Sequence, residues 1–312
     1  MTGFMLLSGF VLQCNYKKID FSDWETVKIF YYKRAIAILP LYYCVALLYS
    51  IYGYFDGFIS LKESLLLFPV EFLCIQSVFT TLFPYSHNGG TWFISCIMIC
   101  YAVFPFAQRL FSQITNRQRI IFVLIVYFLL LWSSVVQILF QLSSIYSNPF
   151  FRLLEFLIGV SIANINMSVK DNNIILMLLS KRMVLALVLI LLIAFITIFK
   201  RSGMPSDPML MNCVAIPCFV SLVLGLGRIE FSSMSRYNVL VYLSSLSFAF
   251  YLAQFQPVWI VSEFICNVIG DNNITRVFVS LSYVLALAII LHELVEKKSS
   301  NYFKNRIRQI NI

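Results

Sequence analysis

Phe150-Phe151-Arg152-Leu153-Leu154-Glu155-Phe156-Leu157-Ile158-Gly159 sets an arginine and a glutamate three positions apart in a run that is almost wholly apolar from Phe150 to Ala163. In a helix that spacing puts both side chains on one face, close enough to pair. An ion near the middle of a bilayer costs about 3 kcal/mol on insertion scales. The stretch therefore predicts a charge pair turned inward, toward a polar cavity. The plainer alternative is an ion pair that only ties helices together.

The surrounding composition makes a membrane the setting. Of 312 residues, 60% are hydrophobic and 12% charged, 30 are Phe, and the mean hydropathy is +0.85. A water-soluble domain cannot cover itself with so few charges, so the expected class is an all-α, polytopic membrane helical bundle. The net charge of +9 would suggest nucleic acid in a soluble protein, but here the cations fall between apolar runs, where they set topology. No nucleic-acid partner is expected. The eight cysteines show no metal-binding spacing. Cys96 and Cys100 share a helix face inside an apolar run and read as packing residues, so no metal site is expected.

Working outward from the charged run, apolar spans fall at about Ala35–Phe55, Trp92–Gln108, Ile120–Phe140, Pro149–Asn166, Met183–Phe199, Met211–Leu226, Val239–Ile260 and Ile274–His292. A short run, Met1–Leu12, reads as the second half of a further span, followed by a loop from Gln13 to Arg34. One more stretch, Leu65–Leu82, is apolar but broken by Pro69, Glu71 and Gln76.

The distribution of cations decides how that broken stretch is placed. If it does not cross, Lys17, Lys18, Lys28, Lys33 and Arg34 share one side with Arg109, Arg117, Arg119, Lys170, Lys181, Arg182, Arg228 and Arg236. The tail cations Lys297, Lys298, Lys304, Arg306 and Arg308 join them, leaving Lys62, Lys200, Arg201 and Arg276 opposite. If it crosses, every later loop flips and the asymmetry is lost. The expectation is nine spans, the first incomplete, plus one re-entrant segment on the outer face, with the C-terminus cytoplasmic. No repeat or long linker divides the chain, so residues 1–312 are read as one membrane domain.

Five short patterns occur in order. They are Phe4-Met5-Leu6-Leu7-Ser8-Gly9-Phe10, then Phe30-Tyr31-Tyr32-Lys33-Arg34 continuing to Pro40-Leu41-Tyr42-Tyr43, then Trp92-Phe93-Ile94-Ser95 closing on Tyr101-Ala102-Val103-Phe104-Pro105. Arg152-Leu153-Leu154-Glu155-Phe156-Leu157-Ile158-Gly159 is the fourth and Leu246-Ser247-Phe248-Ala249-Phe250-Tyr251-Leu252 the fifth. Together, over nearly the whole chain, they resemble the acyltransferase-3 family of bacterial membrane O-acyltransferases, which acetylate surface polysaccharides and related glycans.

The resemblance implies a ten-helix core in the bacterial cytoplasmic (inner) membrane. It implies transfer of an acyl group, acetyl foremost, from cytoplasmic acyl-CoA to a hydroxyl of a cell-surface or lipid-linked glycan. Acyl-CoA is then a co-substrate, no cofactor is bound, and the partners are the saccharide acceptor and membrane lipid. Lys33 and Arg34, at the inner end of a span, suit the phosphates of coenzyme A. They equally suit a purely topological anchor. Arg152 and Glu155 are the candidate catalytic pair, ordering a polar passage or polarising the thioester carbonyl. Trp92 and Tyr251 are candidates to line that passage, and His87, in the outer loop, to touch the acceptor. His292, at the inner end of the last span, is the other histidine.

The sequence also departs from the family pattern. The family's histidine belongs to a first helix that would lie before Met1, with a basic residue upstream. Ala37 stands where a second arginine is usual, Ile97 and Met98 where an acidic residue is usual, and Gln254 where a histidine is usual. Two rival expectations follow: an inactive, truncated acyltransferase, and a transporter or flippase for lipid-linked glycans, which needs a similar charge-lined cavity.

Overall fold

The computed structural model describes residues 1–55, 57, 60–79, 89–140, 145–168, 208–226, 234–254 and 273–310. The regular secondary structure of the described residues is all helical, without a strand among them. The α-helices are α1 (Thr2–Tyr16), α2 (Trp24–Phe55), α3 (Leu61–Phe72), α4 (Trp92–Gln113) and α5 (Asn116–Leu139). They continue as α6 (Pro149–Ser168), α7 (Pro208–Leu226), α8 (Met234–Ala253), α9 (Asn273–Leu291) and α10 (Lys297–Ile310). The expected span Met183–Phe199 lies outside the described residues.

Among these, five helices are long and apolar enough to cross a membrane: Trp24–Phe55, Gly89–Gln113, Asn116–Leu139, Pro149–Met167 and Ile274–Phe303. Leu210–Leu224 and Asn238–Ala253 are apolar but shorter. Ile121, Leu124, Phe128 and Trp132 of α5 recur at helical spacing and all stay exposed, as expected of side chains that lipid covers. The chain is a multi-pass membrane protein.

One expectation needs correcting. The stretch Gln13–Arg34 is not one loop, because α1 runs on to Tyr16 and α2 begins at Trp24. Lys28, Lys33 and Arg34 are therefore helical. A charge stops the apolar run but not the helix: hydropathy marks where lipid ends, and backbone hydrogen bonding continues beyond it.

Contacts divide the chain into two compact units, Met1–Val27 with Ser95–Glu230 and Lys28–Ile94 with Phe231–Ile312. In the first unit α1 packs most closely against α6. Gly9 and Gly159 make the crossing possible, each lying against the other helix's backbone. A Cβ on Gly9 would strike the carbonyl of Phe156, and one on Gly159 the carbonyl of Leu6. Small residues at such a crossing let backbones approach where lipid gives no hydrophobic drive for helices to associate. Leu6 and Phe10 of α1, Ile158 and Ile162 of α6, Leu130 of α5 and Ile216 of α7 fill the core around it. The amide of Gln13 adds a buried hydrogen bond to Asn164 Oδ1 at 3.0 Å.

In the second unit α3 folds back along α2. Its start is fixed by a capping box, in which Ser60 Oγ accepts from the Glu63 amide while Ser60 donates to Glu63 Oε2 at 2.9 Å. Its end is fixed by two tyrosines of α2: Tyr42 donates to the Glu71 carbonyl at 2.8 Å and Tyr43 to that of Phe72 at 2.7 Å. With 12 residues, α3 rises only about 18 Å, well short of the ~30 Å hydrocarbon core. Beyond it Cys74 takes a left-handed backbone (φ 55) and turns the chain, after which Gln76 Nε2 donates to the Thr91 carbonyl at 2.9 Å, just before α4.

The glycine crossing yields a graded prediction. Gly9→Ala or Gly159→Ala forces backbone against backbone and is expected to cost about 3 kcal/mol. Gly3→Ala meets only the swinging ring of Phe219 and is expected to cost less. Thermal unfolding in detergent checks the order; equal stabilities for all three would contradict the close crossing.

Candidate functional site

Arg152 and Glu155 sit on the first half of α6, three residues apart, and both are completely buried. Their spacing brings Arg152 Nη1 to 2.9 Å from Glu155 Oε1 and 2.8 Å from Oε2, so one guanidinium nitrogen donates to both carboxylate oxygens. Helix α1 supplies a third member. Thr2 Oγ1 donates to Glu155 Oε1 at 2.9 Å and accepts from Arg152 Nη1 at 3.1 Å. Arg152 Nε donates to the Tyr146 carbonyl at 2.8 Å, and the guanidinium lies over the Tyr146 ring at 4.9 Å. No atom of the pair is among the buried polar atoms left without a hydrogen bond. The charges therefore face protein rather than lipid. The described groups around them enclose the pair, and it ties α1 to α6 in addition to whatever else it does.

The remaining sequence candidates belong to the second unit. Lys33 is exposed on α2, and Arg34, half-buried beside it, lies over the Phe30 ring at 5.9 Å. Trp92 is buried at the start of α4. Tyr251, on α8, donates to the Gly90 carbonyl at 2.7 Å and packs edge-on against Phe93 at 5.2 Å. Trp92 and Tyr251, far apart in sequence, thus meet at one short turn, Gly89–Thr91. His87 lies outside the described residues.

The family model described as an acyltransferase domain matches residues 1–293. The chain belongs to the acyltransferase-3 family. No curated protein and no solved structure matches it at a significant level. Membership makes it a membrane acyltransferase, and the family match runs through both compact units.

Within this acyltransferase some site residues were out of reach of sequence reasoning. Thr2 and Tyr146 carry no motif and are found only by tracing what the buried pair touches. Gln76 stood out merely as a polar break in an apolar run, yet it joins Tyr42 (3.4 Å) and Thr91 in one buried polar cluster. Its Oε1 is buried with no hydrogen-bond partner. Ser245 and Glu296 both bond to His292; the spacing of four between His292 and Glu296 is a sequence signal, whereas Ser245 reaches the histidine only through a long-range contact.

The charge cluster orders a set of variants by stability. Arg152→Ala leaves a buried carboxylate without its cation and is expected to cost about 3–5 kcal/mol. Thr2→Val removes one partner of a charged group and is expected to cost about 1.5–3 kcal/mol. Chemical denaturation in detergent measures both. If Arg152→Ala proved no worse than Thr2→Val, the buried pair would not be what holds this region together.

Proposed function

We propose that this acyltransferase takes an acyl group, acetyl foremost, from cytoplasmic acyl-CoA and delivers it to a hydroxyl of a cell-surface or lipid-linked glycan. The observation that carries the reading is family membership along nearly the whole chain. The charge asymmetry of the loops supports a C-terminus on the cytoplasmic side of the bacterial inner membrane. On that topology the chain has nine spans in one membrane domain, and Leu65–Leu82, with its short helix α3, is the re-entrant segment.

Chemistry assigns the roles. Lys33 and Arg34 lie within α2, ahead of its apolar part on the cytoplasmic side, where an exposed and a half-buried cation suit the phosphates of coenzyme A. Arg152 and Glu155, enclosed between α1 and α6, are assigned to ordering the helices that line the passage of the acyl group. Trp92 and Tyr251, gathered at the Gly89–Thr91 turn, form the aromatic wall toward the outer face, and His87 precedes them in the outer loop. Acyl transfer to a hydroxyl also needs a base to take its proton.

Inside-out membrane vesicles given acetyl-CoA labelled in the acetyl group test the reading. Label is expected in the glycan fraction, with Lys33→Glu/Arg34→Glu raising the KM for acetyl-CoA about tenfold while kcat changes little. Glycan translocated without label would show a flippase instead, and neither label nor translocation would show an inactive chain.

A further inference from the structure

The last apolar helix does not stop at Leu291. It widens into a π-helical turn, His292–Glu296, where the Lys297 amide reaches back to the His292 carbonyl. Such turns recur at functional sites because they re-aim side chains that regular helix spacing would misplace. Here the turn sets His292 Nδ1 at 2.8 Å from Glu296 Oε2. A carboxylate only accepts, so Nδ1 carries a proton, and whenever the ring is neutral Nε2 presents a lone pair. That lone pair is directed across to α8, where Ser245 Oγ lies 3.4 Å from Nε2. Tyr242, one turn before Ser245, packs its ring edge-on against the imidazole at 5.9 Å and so fixes its plane.

Hydroxyl, imidazole and carboxylate thus stand in sequence, with the ring in the tautomer that takes a proton from the serine. His292 is buried, whereas Ser245 is exposed, so the base is shielded while the hydroxyl stays accessible. The 3.4 Å gap is at the long end of hydrogen bonding, as is common for a nucleophile and its base before substrate arrives. Ser245 meanwhile donates to the Tyr242 carbonyl at 2.7 Å and must turn from it to be activated. Glu293 and Lys297, the other charged groups on the turn, are paired at 2.8 Å. A purely structural His–Glu clip would need no hydroxyl facing the free ring nitrogen.

We propose that Ser245 is an acyl-carrying nucleophile, with His292 its general base and Glu296 the group that orients His292. This rests on the acyl-CoA reading above. Ser245 Oγ attacks the thioester carbonyl carbon and its proton passes to His292 Nε2. The C–S bond breaks, and the departing thiolate takes that proton and leaves as the free thiol. The serine ester then yields its acyl group to an acceptor hydroxyl, whose proton returns through Nε2 to Ser245 Oγ. Ser245 and His292 act on the reacting atoms; Glu296 is a positioning residue.

The test is peptide mass mapping of the purified full chain in detergent after brief exposure to acetyl-CoA, and separately to a small acetyl thioester. One acetyl group is expected on Ser245, absent in Ser245→Ala and retained at that position in Ser245→Cys. His292→Gln should slow acetylation at least a hundredfold. Glu296→Gln should slow it less, and mainly by lowering the fraction of correctly oriented ring, seen as an altered His292 signal in nitrogen NMR. Because Ser245 is exposed, Ser245→Ala should fold normally. No acetyl on Ser245, or undiminished acetylation in His292→Gln, overturns the proposal. Labelled glycan without an acetylated Ser245 would sink the serine step and leave the acyl-CoA reading standing; acetylated Ser245 without labelled glycan would uphold the serine step and the acyl-CoA donor and remove the glycan acceptor.

Discussion

Two opposite charges inside an apolar helix must find their partners within the protein, because lipid offers none. That constraint explains why α1 and α6 meet so closely. Arg152 and Glu155 neutralise each other, but a bare pair would still leave hydrogen-bonding capacity unmet in a low-dielectric medium. Thr2 and the Tyr146 carbonyl supply it. Reaching Thr2 requires α1 to lie flat against α6, and only the glycines at positions 9 and 159 allow that approach. The polar cluster and the glycine crossing are two ends of one arrangement: one satisfies the charges, the other removes the atoms that would keep the helices apart.

A second economy operates in the other unit. Helix α3 is too short to span, and side chains satisfy the backbone groups at both its ends. The capping box at Ser60 serves one end, and the hydroxyls of Tyr42 and Tyr43 serve the other. The adjacent tyrosines Tyr42 and Tyr43 therefore have a backbone-satisfying task. Gln76 extends the same logic to the turn before α4, leaving one carbonyl oxygen of its amide buried and unmatched.

Much of this was legible in the sequence. Helical class, membrane setting and the pairing of Arg152 with Glu155 follow from hydropathy and a spacing of three, which are local properties. The family resemblance, read from five ordered patterns, matches the chain over residues 1–293. Helix ends were less legible, as Gln13–Arg34 shows, because hydropathy reports the lipid boundary and not the backbone. The expected polar cavity beside the charge pair is replaced, among the described groups, by Thr2 and Tyr146. Neither residue announces itself, since a threonine and a backbone carbonyl acquire their role only through a long-range contact. Tyr251 meeting the turn before Trp92 was hidden for the same reason.

Whether Arg152 and Glu155 serve acyl transfer or only architecture is decided by removing both charges together. A single substitution unfolds and inactivates alike, whereas replacing a buried pair with apolar side chains of similar size is often neutral or stabilising. The decisive measurement is acetyl transfer from acetyl-CoA to glycan by the double variant Arg152→Met/Glu155→Met, alongside its unfolding temperature in detergent. The account predicts a protein as stable as the parent that transfers at least a hundredfold more slowly. A stable double variant transferring at the parental rate would show that the pair only holds helices together, and would contradict the site assigned here.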